Sequence, residues 1–241
     1  MTKARDTANL TGSGVTLPLL DIDAGTDIGA ALVDADLMIV DDGAGGTNRK
    51  ATMSRLATYM GTKIGGGMEF IASSGAISNA ASVQFRAQDG HFDSTKYDHY
   101  VFYFQHVVPA TDDVNAFMQT STNDGGAYAT SSGDYHHNTD VDAIGLIITQ
   151  ANQVGSDTNE FGISGKFHLY SPHTTAYTYS FTDVVFLSND AGSYIYHGAW
   201  NDPTKGASVR LAAEDVDAVK FLFSSGNIES GEITMFGIVN S

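Results

Sequence analysis

The stretch that most constrains this chain is its last one, Val219 to Val239. Two runs of aromatic and branched residues, Val219–Phe223 and Ile233–Val239, flank the small polar segment Ser224-Ser225-Gly226-Asn227 and the turn-like Ser230-Gly231. Runs of this kind around a short glycine-containing connection predict a β-hairpin. Both runs are apolar on both faces: Phe221 and Phe223 alternate with Leu222, and Met235 with Phe236. A strand that is apolar on both sides belongs between layers or at a subunit contact. The chain thus closes on strands made much earlier.

The preceding sequence supplies those strands. Predicted strands are Met68–Ser73, Val83–Ala87, Tyr100–Val108, Asn115–Ser121, Ala143–Gln150, Phe161–Tyr170, Tyr177–Leu187 and Ser193–Ala199. Turn signals such as Asp89-Gly90 and Asn123-Asp124-Gly125-Gly126 separate them. Pro18, Pro109, Pro172 and Pro203 all fall at predicted strand ends or loops, where a missing N–H is harmless. Only Ala212–Ala218 has helical residue types here, one turn at most. Short strands at near-regular spacing predict a mainly β fold, an antiparallel sandwich of jelly-roll type, over residues 68–241.

Gly65-Gly66-Gly67 marks a flexible boundary. Before it, residues 1–65 read as an arm and a small strand–turn–helix module. Residues 1–16 are small and polar. Asp36–Asp42 predicts a short apolar strand that ends in a turn, and Gly43–Lys50 a glycine-rich connection. Thr52 is placed to N-cap a two-turn helix that carries Met53, Leu56, Tyr59 and Met60 on one face and stops at Gly61. Such a helix is too short to stand alone and must pack on something.

Charge and composition exclude several functions. The formal net charge is −16, with 12 Lys and Arg against 28 Asp and Glu. Phosphate binding needs a basic footprint, so neither nucleic acid nor an anionic membrane surface is an expected partner. There is no cysteine, which removes disulfides, thiolate chemistry and cysteine zinc sites. No window reaches the ~18 apolar residues of a membrane span. Lys3 and Arg5 are followed by Asp6 and no apolar run, so no secretory leader is expected.

Nothing in the sequence forms a catalytic signature. Ser164, in Gly162-Ile163-Ser164-Gly165, has the wrong spacing for a nucleophile elbow. Asp21, Asp23 and Asp27 lack the glycine and the closing glutamate of a calcium loop and read as an Asp-rich turn. Asp34 and Asp36 read as solvent-facing strand residues or caps. In Asp134-Tyr135-His136-His137 the adjacent histidines point to opposite faces of an extended chain, so they do not share one metal unless the strand is broken there or a symmetry axis gathers one from each of several chains. No metal, cofactor or catalytic residue is expected. A binding role is more readable. Tyr128, Tyr135, Tyr196 and Trp200 lie near predicted loops. With Asn201, Asp202 and His136, they form the candidate set for contact with a glycan or protein partner; the alternative is that these aromatics pack the core.

Two segments carry a resemblance. Phe221–Ile238 (FLFSSGNIESGEITMFGI) looks like the closing element of bacteriophage virion proteins of the tail-fibre type. Residues 31–64 (ALVDADLMIVDDGAGGTNRKATMSRLATYMGTKI) are similar to an N-terminal module of the same proteins, with Asp34, Asp36, Arg49, Lys50, Leu56 and Tyr59 at its pattern positions. The resemblance implies a protein of the virion exterior, assembled in the host cytoplasm. It implies a homotrimer whose N-terminal module attaches to other virion proteins through Asp36, Arg49, Lys50, Leu56 and Tyr59. A tail fibre or receptor-binding appendage that meets a host glycan or protein is the first expectation. A capsid decoration or head-fibre protein is the second, and a carbohydrate-active enzyme on a jelly roll the last. Glutamate is scarce and aspartate is spread through turns, so no acid/base pair is apparent.

Overall fold

The computed structural model describes residues 27–41, 48–63, 67–131, 133–137, 140–149, 154–188, 194–197 and 206–240. The chain divides into two units, Met1–Lys63 and Ile64–Ser241, one residue before the predicted glycine boundary. The fold is mainly β, and every strand pairing is antiparallel.

In the first unit, β1 (Leu37–Asp41) and β2 (Asn48–Thr52) form a hairpin with Leu37 opposite Thr52 and Asp41 opposite Asn48. Arg49 and Lys50 are therefore strand residues, not part of the connection. α1 (Met53–Lys63) follows at once. Its 11 residues make three turns, and Gly61 lies inside it rather than ending it. Thr52 caps it as expected: its Oγ1 accepts the Arg55 N–H at 3.4 Å. The preceding turn completes the cap. The carbonyls of Asp36 and Asp34 accept the N–H groups of Met53 (2.9 Å) and Ser54 (3.3 Å). The Asp36 carboxylate accepts the Val33 N–H at 2.9 Å and fixes that turn. Asp34 and Asp36 thus precede the strand instead of alternating along it.

The second unit is a β-sandwich. Its larger sheet runs β3 (Met68–Ser73), β16 (Ile228–Val239), β6 (Tyr97–Pro109), β11 (Ile163–Tyr170), β12 (Tyr179–Ser188), β14 (Ala207–Arg210), β8 (Tyr135–His137), β9 (Asp140–Ala143). β4 (Ile77–Ala80) also pairs with β16, and β13 (Tyr194–His197) with β12. The smaller sheet runs β10 (Leu146–Ile147), β7 (Ala116–Ser121), β15 (Ala218–Phe223), β5 (Val83–Arg86).

Aromatic side chains fill the space between the sheets. Phe221 of β15 meets Phe102, Phe104 and Phe167 of the larger sheet with ring centroids 4.9, 5.4 and 6.2 Å apart. All four are buried. Each such ring contributes roughly 1.5–3 kcal/mol by leaving water.

Three expectations fail here. The closing hairpin is not a hairpin. β15 pairs with β7 and β5, while β16 pairs with β6, β3 and β4. Residues 224–227 are an arch from one sheet to the other. The Ser224 N–H donates to the Asn115 carbonyl and the Ala110 N–H to the Asn227 carbonyl, both at 2.8 Å. Gly226 takes φ +72° against the Thr111 side chain, where a Cβ has no room. The predicted strand 143–150 is mostly not one: Ala143 ends β9 of the larger sheet, and only Leu146–Ile147 pair, as β10 of the smaller sheet. Between them the ideal Cβ position of Gly145 lies 3.0 Å from the Met118 carbonyl oxygen. The segment before Ala218 contains no helical turn.

Candidate functional site

The inner faces of both sheets are committed to the core, so contact with anything else falls to outer faces and edges. On the outer face of the larger sheet the strand registers line up side chains in rows. One row is Met68, Ile238, His99, Tyr170, Tyr179, Val209 and His136, one residue from each of seven strands. The next is Phe70, Phe236, Val101, His168, Phe181 and Ala207. Neither row contains a carboxylate. A third row, Thr234, Tyr103, Lys166 and Asp183, holds one ion pair, Lys166 to Asp183 at 3.9 Å.

The first two rows form a band that carries two aromatic clusters, with Ile238 and Val101 between them. Phe236 sits edge-on to Phe70 at 5.9 Å and to Tyr103 at 5.4 Å. His99 stacks on Tyr170 at 4.3 Å, and His168 lies 6.1 Å from Phe181. Much of the band is open to solvent: Phe70 is 63% exposed, Tyr179 52% and Phe181 47%. At its centre, His99 Nε2 and His168 Nδ1 share a hydrogen bond of 3.0 Å. Burial holds both imidazoles below their ordinary range. For His99 the neighbouring His168 adds to this; for His168 the Lys166 ammonium adds to it and Asp183 opposes it.

A second recess, of about 270 Å³, is polar. It lies between the end of β7, the loop 122–129, Arg210 and Glu214. Tyr128 is one wall. Its hydroxyl donates to Gln84 Oε1 at 3.1 Å, and the Lys220 ammonium sits 4.4 Å from its ring centre. One ring face is thereby already used.

The expected contact residues separate. Tyr128 lines the recess just described. Tyr135 is no contact residue: it is fully buried, its hydroxyl accepting from the Thr120 N–H (2.9 Å) and bonded to the Ala129 carbonyl (3.1 Å). Tyr135 lies not beside a loop but on a strand, Tyr135–His137 being β8. His136 and His137 do point to opposite faces, with His136 half-buried at the end of the first outer row and His137 buried. Tyr196 falls on β13, opposite Phe186 in the register. Trp200, Asn201 and Asp202 lie outside the described residues, as do Asp21 and Asp23. In the first unit, Leu56 and Tyr59 are exposed on α1 (36% and 58%), Arg49 and Lys50 are exposed on β2, and Asp36 serves the helix cap.

One arrangement unreadable from sequence resembles a catalytic relay. Asp215 Oδ1 lies 3.0 Å from His173 Nδ1, and His173 Nε2 lies 2.8 Å from the Tyr100 hydroxyl. Tyr100 is fully buried, and burial pushes its phenol far up. Its oxygen also accepts the Asp93 N–H at 3.0 Å. That oxygen is enclosed in the fold, and the trio ties three loops to β6. Among the described residues no three His, Asp or Glu side chains are grouped to hold a metal ion.

No protein-family model matches this chain, and no curated protein matches it. The fold and its surfaces define a class: an antiparallel β-sandwich protein whose larger sheet carries two adjacent outer rows rich in aromatic side chains and free of carboxylates, joined to a small hairpin–helix unit.

Proposed function

We propose that this chain is a structural protein of the exterior of a bacteriophage particle, a trimeric tail fibre or receptor-binding appendage that works by contact rather than by catalysis. The observation that carries the reading is the state of the first unit. Among its described side chains none is buried, while Ile28, Leu32, Leu37, Ile39 and Tyr59 are each about 60% exposed. A hairpin and one helix with no core of their own gain stability only against a partner. Attachment to other virion proteins is the role that the resemblance of residues 31–64 assigns to this unit. Asp36 contributes by setting the cap, and Arg49, Lys50, Leu56 and Tyr59 offer the surface. The polar recess beside Tyr128 suits recognition of a host glycan or protein.

The test is an antibody against the sandwich, applied to intact phage particles that carry this gene and viewed by electron microscopy. Label at the tail supports the appendage. Label over the head transfers the protein to the capsid, and particles that lack the protein altogether refute the virion reading.

A further inference from the structure

We propose that the outer face of the larger sheet seats a second copy of this chain, and that acid opens this contact through the His99–His168 pair. The inference rests on the reading above that the chain assembles with copies of itself; it names the surface and its control.

Scattered exposed apolar residues are ordinary, but contiguous ones mark interaction sites. Here the exposed Phe70, Tyr179 and Phe181 belong to two adjacent rows that cross the sheet. Seven strands at ~4.8 Å spacing make a band about 29 Å long. With its flanking rows the face is several hundred Å², approaching the ~800 Å² per partner of a standard interface.

Charge selects the occupant. A nucleic acid or an anionic surface would need Lys and Arg, and a basic partner would need Asp and Glu. The two rows contain neither kind of charge. A second copy carries the same net charge of −16, so it can approach closely only where no carboxylates face each other. Aromatic rings and neutral imidazoles add no such repulsion, whichever part of the neighbouring copy they meet.

The histidine pair then sets the pH range. The groups that face it are Lys166 and Tyr170 on β11, Tyr103 on β6, and Tyr179 and Asp183 on β12; β16 presents Thr234, Phe236 and Ile238. Asp183 is the one anion, and it already faces Lys166. A first proton charges a ring enclosed by aromatic side chains. A second places two cations 3.0 Å apart. A covering partner removes more water from both rings. The separated form therefore binds protons more readily, and association weakens once pH falls below the ordinary histidine value near ~6.5.

The test is sedimentation equilibrium of the full-length protein at about pH 7.5 and about pH 5.0, on either side of that range. Wild type is expected to be multimeric at the higher pH, with a dissociation constant that rises about tenfold or more at the lower. Phe181→Glu and, as an independent exposed site, Ala207→Glu should each weaken association at least about tenfold, with unchanged circular dichroism. His99→Gln/His168→Gln should associate with little pH dependence. If wild type is a monomer at both pH values, the assembly reading and this surface fall together. If both Glu variants associate like wild type, the surface is overturned and the assembly reading survives. If the double variant keeps the full pH response, the histidine control is overturned.

Discussion

Phe221 and Phe102 meet edge to face with centroids 4.9 Å apart, although the two residues belong to different sheets. Phe221 also touches Phe85, Phe104 and Phe167. It is the ring around which the sandwich closes. Phe221→Ala removes a fully enclosed side chain from packing that cannot collapse around the gap, and should destabilise the sandwich by ~3–5 kcal/mol. Urea unfolding followed by tyrosine fluorescence measures this. A loss below ~1 kcal/mol would show that the sheets pack without that ring.

The runs that form this core were legible because they are long and aromatic. Tyr100–Val108 stood out, and the strand extends to Tyr97 and Pro109 because its pairing with β16 and β11 continues past the apolar run. Which sheet each run joins was not legible. A four-residue Ser/Gly/Asn connection suits a hairpin or an arch equally. The choice is made by β7 and β5, whose residues pair with β15 from about 100 positions or more upstream. The outer band was hidden for the same reason. His99, His168 and Phe181 become neighbours only once two registers are fixed. β8 and β14 were missed because three or four polar-mixed residues show no clear period. Tyr135 looked like a loop aromatic when its neighbours in sequence, Asp134 and His136, were the ones facing out.

The buried tie among Tyr100, His173 and Asp215 makes a graded prediction. Tyr100→Phe leaves His173 Nε2 and the Asp93 N–H without their partner and should cost ~1–3 kcal/mol. Asp215 is 69% exposed. Asp215→Ala should therefore cost under ~1 kcal/mol, as expected of a solvent-screened pair. Equal losses in the two variants would mean that the carboxylate, not the buried phenol, organises these loops. Thermal melts of the two proteins side by side decide it.

Stability should also depend on pH in a predictable order. His99 and His168 have depressed values in the folded chain, so the unfolded chain binds more protons once pH falls below their ordinary range. The stability they supply is complete above ~6.5 and declines below it. Glu160 and Asp217 act in the opposite sense. Burial raises both carboxyls, so the folded chain takes up protons first, and they offset the decline as pH approaches the carboxylate range. The urea midpoint should fall as pH drops from 7 to about 5.5 and then flatten, with the first phase reduced in His99→Gln/His168→Gln. A midpoint that rises on acidification over that first interval would contradict the assignment.

The division of labour between the units gives the last prediction. The sandwich begins at Gly67, whose carbonyl accepts the Val239 N–H at 3.3 Å, and Met68 opens the edge strand β3. All the buried apolar residues among those described belong to this second unit. A chain beginning at Gly67 should therefore fold, unfold cooperatively and keep the midpoint of its full-length counterpart, while failing to join particles. In the full-length protein, Leu56→Asp and Tyr59→Asp change exposed helix residues, so they should leave the melt unchanged within ~0.5 kcal/mol and still abolish incorporation. If the chain from Gly67 is recovered only as aggregate, the first unit is part of the sandwich's folding and not a separate attachment device. If it folds and also joins particles, attachment belongs to the sandwich, and the exposed apolar surface of the hairpin and helix serves some other contact.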